Sequence, residues 1–169
     1  MHSRLGQGLT LIEIIIAIAV LAVLASLAVP SAARVLGSKR LAGAAETLAA
    51  DLRDARFEAA RAGQPYFVAA GNSDKGWCWS VTRDHTCTCG QPAACQLKTV
   101  RAADFSGVQL EDGLLAKMDA DGSSSGAVSA TFATRDGERL RVDLGAMGRP
   151  RVCRVGAAAG AGSHRYPAC

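Results

Sequence analysis

The stretch GLTLIEIIIAIAVLAVLASLAVP, residues 8–30, determines the architecture of this 169-residue chain. From Leu9 to Val29 only Thr10, Glu13 and Ser26 are polar. At 1.5 Å per residue, a helix of this length spans about 30 Å, which is the thickness of the hydrocarbon core of a bilayer. The sequence therefore predicts a single membrane-spanning helix at the N-terminus.

Two features separate this segment from an ordinary secretory signal. A secretory signal has its small-residue cleavage site after the apolar run, whereas the candidate site here, Gly8, precedes it. Glu13 places a carboxylate inside the apolar span, where an unpaired charge is costly. We therefore expect the apolar helix to remain in the mature protein and Glu13 to have a charge partner.

The run from Gly8 to Glu13 resembles the prepilin peptidase motif of type IV pilins and type II secretion pseudopilins. The resemblance implies cleavage after Gly8 and methylation of the new N-terminus at Leu9. It also implies that Glu13 pairs with the N-terminal amine of a neighbouring subunit in a filament. The family usually begins with Phe or Met, so Leu9 is a departure, at a position that tolerates other apolar residues. The alternative, an uncleaved membrane anchor, does not account for Gly8 and Glu13 at this spacing.

This resemblance also implies partners and a location. The partners are prepilin peptidase, other major and minor pilins, and the inner membrane before assembly. We expect a single-pass bacterial inner-membrane protein with a periplasmic globular domain, which later reaches a pilus on the cell surface.

A second helical pattern follows the apolar segment. Apolar residues recur at steps of three and four from Leu41 to Ala59, and Gly63 with Pro65 ends the pattern. We expect the remaining faces to carry the charged residues Glu46, Asp51, Arg53, Asp54, Arg56, Glu58 and Arg61. The predicted organisation is a leader at 1–8, a transmembrane or filament-core helix at 9–30, an amphipathic helical stem at 31–63, and a β-rich globular domain at 64–169.

After Pro65 the pattern changes to short strands separated by turn residues. The predicted strands are Tyr66–Ala70, Trp77–Thr82, Gln96–Arg101, Val128–Thr134, Arg139–Leu144 and Arg151–Val155. The fold class is α+β, with one long helix packed on a small antiparallel β-sheet domain. This arrangement is similar to the GspH/FimT group of minor pilins, strongly at 6–30 and more weakly at 128–155.

Six cysteines, all between Cys78 and Cys169, indicate disulfides in an oxidising compartment. Six cysteines permit fifteen pairings, among which the sequence cannot choose. We favour Cys153 with Cys169, because this bond would close a Gly- and Ala-rich segment. Closing a loop of about 15 residues stabilises a fold by roughly 3 kcal/mol. The corresponding expectations for the others are Cys78 with Cys95 and Cys87 with Cys89. Zinc is the rival interpretation, but Cys87-Thr88-Cys89 lacks the two-residue spacer typical of zinc sites.

The sequence contains no pattern typical of catalysis. His85 lies beside Asp84, but a Cys–His nucleophile needs a reduced thiol. A phosphate-binding glycine loop and a serine-centred elbow are both missing from the sequence. The acidic residues between 104 and 121 do not have the spacing of a calcium loop, and we expect a solvated loop region there. The protein is therefore predicted not to be an enzyme and to bind no cofactor or metal.

Positive charge is concentrated at the C-terminal end. The chain carries a net charge of +4. Residues 144–169 contain no acidic residue, and their four basic residues are Arg149, Arg151, Arg154 and Arg165. Gly148-Arg149-Pro150-Arg151 resembles the Gly-Arg-x-Arg motif of FimT-like minor pilins that bind DNA during natural transformation.

The resemblance implies sequence-independent DNA binding through Arg149 and Arg151, and the basic tail free of acidic residues adds Arg154 and Arg165 as further candidates. Arginine pairs with phosphate oxygens and reads charge rather than base sequence. Two alternatives remain at this point. The arginines could form salt bridges within a purely structural minor pilin that primes or caps a filament, or the protein could be a type II secretion pseudopilin.

Overall fold

The computed structural model describes residues 10–83, 96–156 and 165–169. These residues form one α-helix, α1, and eight strands. Their bounds are α1 Leu11–Ala62, β1 Tyr66–Ser73, β2 Gly76–Thr82, β3 Gln96–Arg101, β4 Val108–Asp112, β5 Leu114–Met118, β6 Val128–Thr134, β7 Arg139–Leu144 and β8 Pro150–Arg154. A short 3-10 helix, Ala102–Phe105, follows β3. The chain divides into two compact units, Met1–Arg34 and Val35–Cys169.

In the first unit, α1 presents its apolar side chains to the outside. Its described side chains from Leu11 to Ser26 are all exposed, and the helix continues without a break through position 30. By length and composition, α1 is apolar enough to cross a membrane. Exposed Ile, Leu and Val side chains along such a segment need lipid or other protein to cover them.

In the second unit, the predicted apolar stripe of α1 is confirmed. Its members are at most 2% exposed and form the base of the core: Leu41, Ala45, Leu48, Leu52, Ala55 and Ala59. One predicted charged position is wrong. Asp51 was expected on a solvent-facing side of the helix, but it is 2% exposed and accepts hydrogen bonds from Trp79 Nε1 at 2.7 Å and Lys98 Nζ at 2.5 Å. The buried carboxylate is tolerated because both polar partners lie on the sheet that faces the helix.

The strands form two antiparallel four-stranded sheets. Sheet 1 has the order β3-β2-β1-β5 and sheet 2 has the order β4-β6-β7-β8. Two of the predicted strands, β6 and β7, pair as a hairpin, with Thr134 N–H bonded to Glu138 C=O across its turn. Stacked rings of Trp77 and Trp79 in sheet 1 meet Phe132 of sheet 2 edge to face, with ring centroids 5.5 Å apart for Trp77 and Phe132. These aromatic contacts join the two sheets in one core.

The predicted loop between residues 104 and 121 is wrong, because β4 and β5 lie there. Glu111 and Asp112 end β4, and only alternate residues of these strands, such as Val108 and Leu114, are buried. At Gly113 the chain passes from sheet 2 to sheet 1. A Cβ at this position would lie 2.2 Å from the carbonyl oxygen of Ala70, so only glycine fits between the sheets.

Candidate nucleic-acid interface

The predicted DNA-binding motif lies at an exposed edge of sheet 2. A turn joins β7 to β8, with Gly148 N–H bonded to Gly145 C=O at 2.8 Å. Arg149 and Arg151 are exposed on either side of Pro150, which is buried. Within the part of the chain that the structure describes, the side chains of these two arginines have no hydrogen bond or ion pair. The motif therefore presents two guanidinium groups to solvent.

Gly148 has a structural reason to be glycine. Its φ is +65°, and a Cβ there would lie 2.5 Å from the carbonyl oxygen of Gly122. That same carbonyl accepts a hydrogen bond from Arg56 Nε of α1 at 2.7 Å. A side chain at position 148 would disturb this packing, so the first residue of the motif sets the path of the chain into Arg149.

Arg149 and Arg151 line one open groove with residues of the neighbouring strands. The groove has a volume of about 610 Å³. It is lined by Ala127, Val128, Ser129, Arg141, Asp143, Leu144, Gly145, Ala146, Met147, Arg149 and Arg151. The Met147 side chain beside them is 73% exposed. Among the described residues, the groove thus combines three arginines and one carboxylate with apolar side chains.

Arg141 is a member of this cluster that the sequence-based prediction missed. Residues of β7 alternate, with Leu140, Val142 and Leu144 buried, so Arg141 and Asp143 share the outer face of the sheet. The strand alternation was visible in the sequence. It could have shown that Arg141 faces solvent, but not that β8 would bring Arg151 opposite Asp143.

The other two predicted arginines lie apart from this groove. Neither Arg154 nor Arg165 lines it. Arg154 is half-buried, and its backbone pairs with the C-terminal segment through bonds to Pro167 C=O at 2.8 Å and Cys169 N–H at 3.1 Å. Arg165 is exposed on that segment. The structure therefore brings together Arg149 and Arg151 only.

The C-terminal segment is fastened to the domain in two ways. Cys153 and Cys169 form a disulfide with their Cα atoms 5.0 Å apart. Tyr166 donates a hydrogen bond to the Glu46 carboxylate of α1, and burial together with this bond raises the pKa of Tyr166 to about 12. The disulfide holds the segment to β8, and the Tyr166 bond holds it to α1.

The remaining cysteines are described only in part. Cys78 is disulfide-bonded, but Cys87, Cys89 and Cys95 lie outside the described residues, so its predicted partner is not tested. Asp143 lies close to the sulfur atoms of Cys153 and Cys169. Because those sulfurs are joined to each other, they are not available as thiolate ligands for a metal.

The predicted processing site at the other end is also only partly described. Gly8 and Leu9 lie outside the described residues. Glu13 is exposed in the first turn of α1, and its N–H bonds to Thr10 C=O at 3.1 Å. An exposed carboxylate at this end of an apolar helix is open to a partner from another chain.

Comparison with known families agrees with these features. The model of type II transport protein GspH matches residues 44–161, more than half of the chain, and the prokaryotic N-terminal methylation motif matches residues 4–29. The chain belongs to the GspH family. Pilins and pseudopilins of this kind are structural, non-enzymatic proteins, so this GspH-family protein has a minor pilin or pseudopilin role in a type IV pilus or a type II secretion system.

A solved pseudopilin structure shows a similar fold. The minor pseudopilin EpsH from the type 2 secretion system of Vibrio cholerae matches with a TM-score of 0.50 and 13% identity, covering 68% of this chain and 97% of EpsH. The type IV minor pilin FimU of Pseudomonas aeruginosa matches with a TM-score of 0.45 and 22% identity, covering 66% of this chain and 91% of FimU. No curated protein sequence matches this chain.

The methylation motif indicates how the protein is processed and assembled. It implies processing by prepilin peptidase and assembly with other pilins. Together with the apolar α1, it fits an inner-membrane anchor with a periplasmic domain.

Proposed function

We propose that this minor pilin enters a type IV pilus and binds extracellular DNA without sequence preference, for DNA uptake in natural transformation. Processing would cut after Gly8 and methylate Leu9, and Glu13 would pair with the amine of a neighbouring subunit. The observation that carries the DNA-binding part is the exposure of Arg149 and Arg151 on one groove, with no acidic partner of their own in the described part of the chain.

The chemistry of this surface favours a phosphate backbone. Guanidinium groups form paired hydrogen bonds with phosphate oxygens, and such contacts position DNA without reading its bases. Two arginines flanking a buried proline are held at a fixed spacing along the chain, because proline restricts the backbone. Uptake of arbitrary DNA requires this lack of base selectivity.

The binding test uses the full-length protein in a non-ionic detergent and fluorescence anisotropy with duplexes of unrelated sequence. We expect all duplexes to bind equally and the affinity to fall as salt rises. The double variant Arg149→Gln/Arg151→Gln should weaken binding strongly and reduce the log–log salt slope by about 1.8, or about 0.9 for each lost phosphate contact.

The matched control is Arg53→Gln/Arg135→Gln. It removes the same charge from two exposed positions that do not line the groove. Equal losses in the two double variants would show that only net charge matters. Absence of binding by the wild-type protein at low salt would refute the DNA-binding function.

The family match favours a second candidate, a type II secretion pseudopilin or a structural minor pilin that primes or caps a filament. Deletion of the gene distinguishes the candidates. Loss of transformation with pili intact supports DNA capture, whereas loss of pili supports a role in assembly. Loss of secretion supports the pseudopilin.

A further inference from the structure

Arg141 and Asp143, which both line the groove, form an ion pair. Arg141 Nε lies 2.7 Å from Asp143 Oδ1, and Arg141 Nη2 lies 3.1 Å from Asp143 Oδ2. Both side chains are about one-third exposed, at 36% and 37%. The carboxylate therefore engages one edge of the guanidinium in a two-point contact, while the remaining N–H donors of Arg141 stay available.

The sheet register places Arg151 on the same face of sheet 2 as this carboxylate. Arg151 lies directly opposite Asp143 on β8, and residues opposite each other in antiparallel strands point to the same face. Asp143 thus lies between Arg141 on its own strand and Arg151 on the next. It is the one acidic residue that lines the groove among the described residues.

In this arrangement, a bound phosphate group and the Asp143 carboxylate would compete for the guanidinium group of Arg141. Both are oxygen acceptors that bind a guanidinium through two parallel hydrogen bonds. A phosphate group in the groove would meet the repulsion of Asp143 and would have to share Arg141 with it. The ion pair is partly exposed to solvent, and surface pairs of this kind hold weakly enough to be exchanged.

We propose that Arg141 is a third phosphate-binding residue and that Asp143 restrains it, so that Asp143 sets the strength and salt dependence of DNA binding. This inference rests on the proposed DNA-binding function. It predicts that removal of the Asp143 charge tightens binding. The rival interpretation treats the pair as a surface salt bridge that has no influence on the ligand.

Sheet 2 offers a matched control pair. Arg139 lies two residues before Arg141 on the same face of β7, and its Nε lies 2.8 Å from Glu111 Oε2. Neither Arg139 nor Glu111 lines the groove. Variants of this second pair change the net charge by the same amount on the same sheet without touching the proposed site.

The experiment measures anisotropy of a labelled DNA duplex with the full-length protein in non-ionic detergent, from low to moderate salt. Asp143→Asn should tighten binding at 0.1 M salt by up to about eightfold, the effect of one added phosphate contact, and steepen the slope by up to about 0.9. Arg141→Gln should weaken binding by up to about eightfold and flatten the slope by the same amount. Arg141→Lys keeps the charge and should retain the slope while losing part of the affinity.

The controls separate this inference from the proposed function. Glu111→Gln and Arg139→Gln should leave affinity and slope close to wild type. If Asp143→Asn behaves like Glu111→Gln, and Arg141→Gln like Arg139→Gln, while Arg149→Gln/Arg151→Gln still weakens binding, the proposed roles of Arg141 and Asp143 are wrong and the DNA function stands. If wild type binds no DNA, the function itself fails. Circular dichroism of each variant identifies any loss caused by unfolding.

Discussion

Replacing Asp51 by alanine should lower the free energy of unfolding of the folded domain by about 2 kcal/mol. Asp51 is 2% exposed, and its carboxylate connects α1 to both β2 and β3 through Trp79 and Lys98. Alanine would leave the buried indole N–H of Trp79 without its acceptor, which costs about 1–3 kcal/mol. It would also remove the ion pair with Lys98.

The contributions of the two Asp51 partners to this free energy can be ranked by how exposed each partner is. The Lys98 side chain is 50% exposed, so loss of its ion pair should cost at most about 1 kcal/mol. Alanine is a better helix former than aspartate, and this difference should offset about 0.5 kcal/mol of the loss in the free energy of unfolding. Asp51→Asn keeps an oxygen for Trp79 and should therefore cost less than Asp51→Ala, as should Lys98→Gln.

The assay is urea unfolding of the full-length protein in non-ionic detergent, followed by tryptophan fluorescence. The two tryptophans of the chain, Trp77 and Trp79, both lie on β2, so the signal reports on the site itself. Asp54→Ala is the control, because Asp54 is an exposed carboxylate on the same helix. Its effect should stay within about 0.5 kcal/mol. If Asp51→Ala and Asp54→Ala destabilise the protein equally, the inferred role of the buried carboxylate is wrong.

Three further predictions follow from the region around β8. Gly148→Ala should lower the free energy of unfolding by about 1–3 kcal/mol and weaken DNA binding without a change in charge, because φ is +65° and the added Cβ would lie 2.5 Å from a carbonyl oxygen. Gly145→Ala, whose added Cβ would meet no atom within 4 Å, should behave like wild type in both measurements, and an equal effect would contradict this reasoning. Loss of the disulfide in Cys153→Ser or Cys169→Ser should destabilise the domain by about 3 kcal/mol in urea unfolding, given a sequence separation of 16, and the double variant should lose no more than either single one. The pKa of Tyr166 is raised to about 12, so the stability it contributes should be fully present below the unfolded pKa of about 10 and lost as the pH rises through 12. The difference in phenolate absorbance between wild type and Tyr166→Phe should titrate near 12, whereas a midpoint near 10 would refute the assigned contact.

These perturbations act at different places along one chain. The N-terminal methylation motif and the apolar half of α1 concern entry into a filament. The groove beside β8 concerns the proposed DNA binding. On the proposed function, variants in the groove should lower transformation and leave processing and piliation unchanged. Piliation and transformation can therefore be scored independently in the same strain.

The sequence by itself determined the parts of this protein that depend on neighbouring residues. The length and polarity of the run from Leu9 to Val29 require an apolar helix whatever the rest of the chain does. The stripe from Leu41 to Ala59 follows from helical periodicity, and the β6–β7 hairpin follows from alternation on both sides of a short turn. Six of the eight strands were predictable on this basis.

Only the tertiary structure decided the parts that depend on distant partners. Strands β4 and β5 are short and carry charged residues, and they are stabilised by pairings such as Tyr66 with Met118, which no local pattern reveals. The sequence pattern alone predicts that Asp51 faces solvent. It is buried because Trp79 and Lys98, which lie 28 and 47 residues further along the chain, pack against it. The basic C-terminal region was evident from composition, but composition did not show which of its arginines share one surface. Sheet pairing brings Arg141 and Asp143 together with Arg151 and leaves Arg154 and Arg165 outside the groove, because long-range strand register, and not spacing in the sequence, determines which charges share a surface.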